Sequence, residues 1–544
     1  MVTSDVCGEC GAAAGLTCGG CGNIKYCDKD HQRRHWKIHK NECRPIKEID
    51  STQFGRYMVA TRDIERGQLL MKESPYLVGP TATSDLICLT CHGPVLDNNI
   101  HFCPGCKWPL CCKECVGSST HAEECTILAS DKKGIGPPKG PGANPRYDLI
   151  LVIRALLLRE KDSKGWSMVE SLANHTEQRM RDKEPHHMAA VRFCSEMIEP
   201  SFEADLVHKV HGAIITNCIN THGARGETLR CLYPTIPRLN HSCQPNVTLR
   251  SDDDNVLFVR AAVDIKKGEP LVFNYNSALD PVWQRQSELE NIYYFTCVCG
   301  RCSDPTEMGT HFSSPRCPDC KKGGYIEPID GPDKPWKCSK CSKERDATEL
   351  IREAEEAVAD IEEKKEINPK YAQKMMDKYT DLYHSTHYVW SKAATSVLRH
   401  LRGISGRGSL TLRRDLQQGI LKLLDIFEPG YTRRRGVTLY EAAVVEISAA
   451  RSDHAAKRLL NVELMDAHEK ALEMLDESVT ILGLEPPHST EVVWLERARV
   501  TRKTVEDSLT ALKNKMNLEK EQIMAIVNKN NPGVVKIKPV TGES

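Results

Sequence analysis

Cysteine placement constrains this chain more than any other feature. The 544 residues hold 25 cysteines against only 9 phenylalanines, and they fall into clusters with metal-ligand spacing. The first cluster is Cys7-x2-Cys10, Cys18-x2-Cys21, Cys27-x3-His31 and His39-x3-Cys43; the second is Cys88-x2-Cys91, Cys103-x2-Cys106, Cys111-x3-Cys115 and His121-x3-Cys125. Each offers ligands for two tetrahedral sites. Ligands four apart lie on one face if the stretch is helical. Interleaved pairs of this kind cross over, the first and third pairs sharing one ion and the second and fourth the other. A third set, Cys297-x-Cys299-x2-Cys302, lacks a local fourth ligand, for which Cys243 is the candidate. Cys317-x2-Cys320 with Cys338-x2-Cys341 has the spacing of a one-zinc ribbon. Cys112, Cys194, Cys218 and Cys231 are left over. The count predicts six zinc ions, each with four protein ligands and no open position. They are therefore structural, and zinc-activated hydrolysis is not expected. Segments as small as these clusters build too little core to fold without the metal.

Other properties bound the function classes. Lysine plus arginine equals aspartate plus glutamate at 74 each, for a net charge of zero, which argues against binding nucleic acid mainly through phosphate neutralisation. Arg33, Arg34, Lys37 and Lys40 form a basic patch but lack a free recognition helix beside them. The longest apolar run, Leu149 to Leu158, is short and carries Arg154, so it predicts a buried helix and no membrane span. The N-terminus has no apolar export segment. These features predict a protein of the nucleus and cytoplasm, with thiols bound to metal rather than oxidised.

The organisation predicts an α+β multidomain chain. Residues 1–44 hold the first cluster. Residues 45–85 read as short strands with a turn at Arg66-Gly67, and residues 86–127 hold the second cluster. Gly134 to Pro145 reads as an exposed loop. Residues 146–222 are mostly helical, 228–303 return to strands and a metal loop, and 313–343 form the ribbon. From Ala347 to about 530 the apolar stripes are helical, with breaks at Pro369, Pro429-Gly430 and Pro486-Pro487. An antiparallel array, TPR-like in architecture, is expected there.

The most specific string is RLNHSCQPNV, Arg238 to Val247. Asn240-His241-Ser242-Cys243 with Pro245-Asn246 resembles the signature of SET-domain lysine methyltransferases. GRYMVATRDIERGQLL (Gly55 to Leu70) resembles the family's N-terminal strands, VRAAVDIKKGEPLVFNY (Val259 to Tyr275) the strand leading to its catalytic tyrosine, and FTCVCGRC its post-SET zinc loop. The first cluster, with Tyr26, Gln32, Trp36, His39 and Cys43, resembles a MYND finger with His31 in place of a cysteine. The whole resembles the SET-and-MYND (SMYD) family, in particular its arthropod SmydA branch. It implies a MYND finger at 1–44, a split SET domain at 45–303 with a MYND-like zinc insertion at 86–127, a helical insertion at 146–222 and a post-SET loop at 295–303, then a zinc ribbon and a TPR-like array at 347–530.

That resemblance implies an S-adenosylmethionine-dependent protein-lysine N-methyltransferase. It gives Tyr275 the catalytic role and makes Asn240, His241, Asn217, Tyr293, Phe295 and Arg56 cofactor contacts, with Tyr293 and Phe295 as aromatic walls of the lysine channel. Aromatic faces attract cationic sulfonium and ammonium groups by about 0.5–2 kcal/mol each. It makes Cys243 the shared ligand of the post-SET site. It further implies a protein lysine as substrate, proline-rich peptides as partners of the finger, a role in transcription regulation, and a monomer. Three positions depart from the family pattern: Tyr57 where a small residue is usual, Pro237 in place of serine, and Pro270 in Gly268-Glu269-Pro270-Leu271. Strand alternation places Tyr57 with Val59 on one face, and an outward Tyr57 is expected. An alternative function is a zinc-rich adaptor with a vestigial SET pocket.

Overall fold

A computed structural model describes residues 6–530 except 20–23, 44, 53, 97–99, 120, 132–143, 224–225, 321–322, 487–488 and 490–491. Cys21 and most of the expected loop Gly134–Pro145 lie outside the described residues. The fold mixes short sheets with helical layers. The finger's strands Leu16–Thr17 and Lys25–Tyr26 pair antiparallel ahead of the helix Lys29–Cys43.

The central body is built from small sheets. Ile46–Ser51 pairs antiparallel with Gly55–Ala60, Ile49 lying opposite Tyr57. Val247–Ser251, Leu257–Ala261 and Leu69–Glu73 form a three-stranded antiparallel sheet. Leu77–Pro80, Thr228–Leu232 and Ile219–His222 form another. The expected helical region gives up its last residues to this second sheet: its final helix ends at Asn217, and the β-branched Ile219 and Thr221 continue as a strand. Asn240–His241 runs parallel to Val272–Phe273, so the signature string and the strand leading to Tyr275 are hydrogen-bonded neighbours. Tyr147–Lys161, in which Leu149 to Ile153 are all buried, packs on Leu77–Pro80 within the largest core.

Among the described residues seven helices follow from Ala347. One starts at Pro369, where the missing N–H of proline costs nothing. The array docks on the central body near Gly430, whose φ is +81° and where a Cβ would lie 2.0 Å from the Ala262 carbonyl oxygen. Tyr431 N–H donates to that same oxygen at 2.8 Å. Arg250 reaches across to the buried Glu485 carboxylate at 2.9 Å. Leu382, the last residue of the helix Pro369–Leu382, is 53% exposed and takes no part in the helical core. Among the described residues no helix is long and apolar enough to cross a membrane.

Candidate active site and metal centres

The thiol clusters converge as their spacing requires. Cys7, Cys10, Cys27 and His31 form one tetrad; Cys88, Cys91, Cys111 and Cys115 a second; Cys103, Cys106, His121 and Cys125 a third; Cys317, Cys320, Cys338 and Cys341 a fourth. Within each, the donor atoms lie within 4.8 Å of one another. A tetrahedral centre with Zn–S bonds of about 2.3 Å has edges of about 3.8 Å. The sulfur pairs match: Cys10–Cys27 at 3.7 Å, Cys111–Cys115 at 3.5 Å, Cys317–Cys341 and Cys320–Cys338 at 3.8 Å. Zinc fits this chemistry and size. First pairs join third pairs in both interleaved clusters, and Cys112 stays outside the tetrad beside it. Cys18 Sγ lies 3.5 Å from Cys43 Sγ and 3.4 Å from His39 Nε2; the fourth expected ligand there is Cys21.

Cys243 joins Cys297, Cys299 and Cys302 in a further tetrad. This centre ties the signature string to the loop after the helix Val282–Tyr293. Arg285 backs it, donating from Nε to Cys243 Sγ at 3.3 Å and from Nη1 to Glu307 at 2.9 Å. Arg301 also holds Glu307 and lies 3.5 Å over the Phe427 ring of the helical array. A buried arginine thus faces two of the four cysteine sulfurs and offsets part of their charge when they bind as thiolates, which limits the cost of burying it.

Beside this centre lies a cavity of about 1310 Å³. Arg56, Asn217, Asn240, His241, Tyr275, Tyr293 and Phe295 all line it. The Tyr275 backbone N–H donates to His241 Nδ1 at 3.1 Å. That nitrogen therefore accepts, and Nε2, 3.3 Å from Cys243 Sγ, carries the hydrogen. Burial pushes the imidazole down to about 4, so it is neutral. The Tyr275 hydroxyl donates to the Leu239 carbonyl at 2.8 Å. Burial raises the phenol well above its ordinary value, with Tyr293 adding to the effect, so the hydroxyl keeps its proton. Tyr293 packs against Tyr275 with ring centroids 4.7 Å apart, and Phe295 lies 5.9 Å from His241. The result is a largely aromatic wall with one polarised oxygen.

Asn217 spends its side-chain N–H groups on the Ala213 and Ala173 carbonyls, both at 2.7 Å. Its side-chain oxygen is what remains for a ligand. Asn240 Nδ2 donates to the Phe54 carbonyl at 3.3 Å. Arg56 Nη2 donates to the Ser171 carbonyl at 2.5 Å. Arg238, which sequence reasoning passed over, also lines the cavity and donates to Ser171 Oγ at 3.3 Å. Its place inside the signature string, two residues before Asn240, was the available signal. Glu48 lies 3.9 Å from Arg56 and 3.6 Å from Arg238. Two guanidinium groups thus share one carboxylate, leaving positive charge for an anionic ligand group.

Tyr57 does not turn outward as expected. It lines the cavity, its ring edge-on to Phe54 with centroids 6.1 Å apart. The strand keeps an unbroken register with Ile46–Ser51 from Gly55 to Ala60; alternation pairs Tyr57 with Val59 but does not say which face meets the cavity. Pro270 proves harmless to the backbone. It faces Val59 in a pair whose ladder bonds run around it, from Ala60 N to Glu269 O at 2.9 Å and from Leu271 N to Met58 O at 2.8 Å, so its missing N–H is not called on. Pro237 sits in the short 3-10 turn Ile236–Arg238, where proline's fixed φ suits the turn.

Comparison with known proteins agrees with this geometry. Residues 7–43 match the MYND finger family and residues 55–276 the SET domain family. The SET domain-containing protein SmydA-8, isoform B, of Drosophila melanogaster is 28% identical over 56% of this chain and 69% of its own length. Histone-lysine N-methyltransferase ASHR1 of Arabidopsis thaliana is 27% identical over 53% of this chain and 62% of its own. Human histone-lysine N-methyltransferase SMYD1 is 23% identical over 46% of this chain and 54% of its own. The chain thus spans between half and about two thirds of the relatives it matches. With a match to the MYND finger at residues 7–43, a match to the SET domain at 55–276 and converging thiol tetrads, it is similar to SET and MYND domain-containing proteins.

Proposed function

We propose that the protein is an S-adenosylmethionine-dependent protein-lysine N-methyltransferase. The observation that carries this reading is the Tyr275 hydroxyl, neutral and committed as a donor to Leu239, set in an aromatic wall beside Asn240 and His241. Two of the relatives above are named histone-lysine N-methyltransferases.

S-adenosylmethionine supplies, when bound, a methyl group on a sulfonium leaving group. The lysine amine must first lose a proton to water. Its lone pair would then be free to take up the methyl group, the sulfonium being the leaving group. No metal-bound water or acid–base pair is needed. Free lysine titrates near 10.4, and an apolar channel favours the neutral amine. Tyr293 and Phe295 supply that channel. With its O–H donated to the Leu239 carbonyl, Tyr275 has lone pairs to accept from the lysine N–H and orient the nitrogen, and orientation of this kind can supply much of the acceleration. Arg56 and Arg238 suit the carboxylate end of the cofactor, and the Asn217 and Asn240 side chains its other polar groups.

The substrate on this reading is a lysine in a histone or another protein. The finger serves partner recognition in transcription regulation: Trp36 on its helix is 44% exposed, an apolar face suited to a proline-rich peptide. Residence in nucleus and cytoplasm belongs to the same proposal. That exposed face also favours a second reading, an adaptor that binds peptides without transferring methyl groups. Calorimetry of the purified chain with S-adenosylmethionine separates the two, followed by transfer of labelled methyl groups to a peptide array. Saturable binding and lysine labelling are expected. A clean absence of binding with zinc fully loaded would remove the enzyme and leave the adaptor.

A further inference from the structure

We propose that Arg179 is a positioning residue that sets the spacing between the two sides of the cavity, the Asn217 side and the Tyr293–Phe295 side. The inference rests on the methyltransferase reading above for its catalytic consequence, though not for its structural one.

Arg179 lies on the helix Thr176–Asp182 and is 2% exposed. Its Nε donates to the Asn174 carbonyl at 3.3 Å, and its Nη2 to Thr216 Oγ1 at 3.0 Å and to the Ile292 carbonyl at 2.7 Å. Its guanidinium also lies 5.1 Å from the Tyr294 ring centroid. These partners come from three separate segments, and each segment contributes to the cavity: Ala173 and His175 from the first, Thr216 and Asn217 from the second, Tyr293 and Phe295 from the third.

No carboxylate lies within ion-pair distance of Arg179 among the described residues; Asp182 and Glu184 act on it only from further away. A buried guanidinium held by neutral oxygens is a costly choice for stability alone, since burying an unpaired charge is penalised by several kcal/mol. What an apolar side chain cannot do is hold acceptors from three segments at once, which the fork of arginine does here. Ile292 is among the last residues of the helix Val282–Tyr293, whose carbonyls have no helical partner and favour a cation. The next residue but one, Tyr294, turns left-handed at φ +56° and redirects the chain into Phe295. Arg179 therefore grips the helix end at the reversal that aims both Tyr293 and Phe295. On the opposite side, a Cβ on Gly212 would lie 2.2 Å from the Asn174 oxygen, so the loop Arg179 holds is already pressed against the helix carrying Asn217. The guanidinium is the strut between these two fixed points.

The test uses the full zinc-loaded chain. Arg179→Lys keeps the charge but loses the fork. Amide hydrogen exchange is expected to rise about tenfold or more at residues 173–175 and 292–296 while the zinc ribbon and helical array are unchanged. S-adenosylmethionine affinity should stay within about threefold, whereas kcat falls about tenfold or more and the ratio of mono- to higher-methylated product shifts. If the lysine variant fails to fold, Tyr294→Leu removes the ring face alone and should raise exchange in the same segments to a lesser degree. Unchanged exchange in these segments overturns the proposal whether or not the protein is active. Normal strut-dependent exchange with no methyl transfer from the wild type sinks the enzyme reading and leaves the strut standing.

Discussion

Tyr275 donates a hydrogen bond from its hydroxyl to the Leu239 carbonyl at 2.8 Å, one residue before the Asn240-His241 pair whose imidazole accepts from the Tyr275 amide. The tyrosine is thus fixed at both ends by the signature string. Position of its oxygen, rather than its acidity, is what it offers, because burial drives its pKa upward.

Tyr275→Phe removes that oxygen and leaves the backbone tie to His241 intact. Folding and cofactor affinity should persist, while methyl transfer falls by at least about 100-fold. Single-turnover rates on a responsive peptide check this; equal turnover in wild type and variant removes Tyr275 from its role.

The metal prediction follows from five complete tetrads and a sixth set anchored by Cys18, His39 and Cys43. Elemental analysis of chain purified without chelator should give about six zinc ions. Cys243→Ser should lower that by one and weaken cofactor binding, because Cys243 joins the loop bearing Tyr293 and Phe295 to the signature string. A variant with full zinc and full affinity contradicts the shared-ligand geometry.

Much of this was legible beforehand because ligand spacing is a local code. Cys88, Cys91, Cys111 and Cys115 needed only their separations to be grouped. Helix breaks at Pro369 and Pro429-Gly430 were legible for the same reason, being properties of the residues at the break. The turns at Tyr383–His387 and Ala456–Leu460, which carry neither proline nor glycine, were not. Arg179 and Arg238 were missed because their value lies in partners distant in sequence: Ile292 for one, Glu48 for the other. Tyr57 was misplaced because alternation pairs it with Val59 without saying which face of the strand meets the cavity, and the intact residues around Asn240 and Tyr275 carry no information on its direction.

A buried histidine chain gives a pH prediction away from the metal sites. His187 Nε2 lies 2.8 Å from His208 Nδ1, and His187 Nδ1 lies 2.7 Å from His211 Nδ1. Burial is the main cause that pushes His187 down to about 4; His208 and Arg179 add to it and Glu184 opposes. His208 and His211 shift the same way, with Asp205 opposing at the first and Arg230 assisting at the second. The unfolded chain binds these protons near pH 6.5 and the folded chain does not. Stability is therefore complete above about 6.5 and is lost as pH falls towards 4, by up to about 3 kcal/mol for His187. His187→Gln should narrow the gap in denaturation midpoint between pH 7 and pH 5. An unchanged gap means the chain is not the acid-sensitive element; zinc loss on acidification is common to both proteins and cancels.

The last prediction concerns Tyr57, which stands in the cavity wall where the family pattern has a small residue. A ring in the wall either obstructs the cofactor or packs against it. The cavity still measures about 1310 Å³ with the ring in place, and the ring is edge-on to Phe54 rather than lying across the gap to Asn240. It therefore narrows one side without closing the site. Removing it exposes the Phe54 face and deletes apolar contact with whatever the cavity holds, at a cost of about 1 kcal/mol or a little more. Tyr57→Ala should accordingly weaken S-adenosylmethionine binding by about five- to tenfold in calorimetry, with zinc content and melting temperature unchanged. Tighter binding in the variant would show that the ring blocks the pocket, and would favour the adaptor over the enzyme.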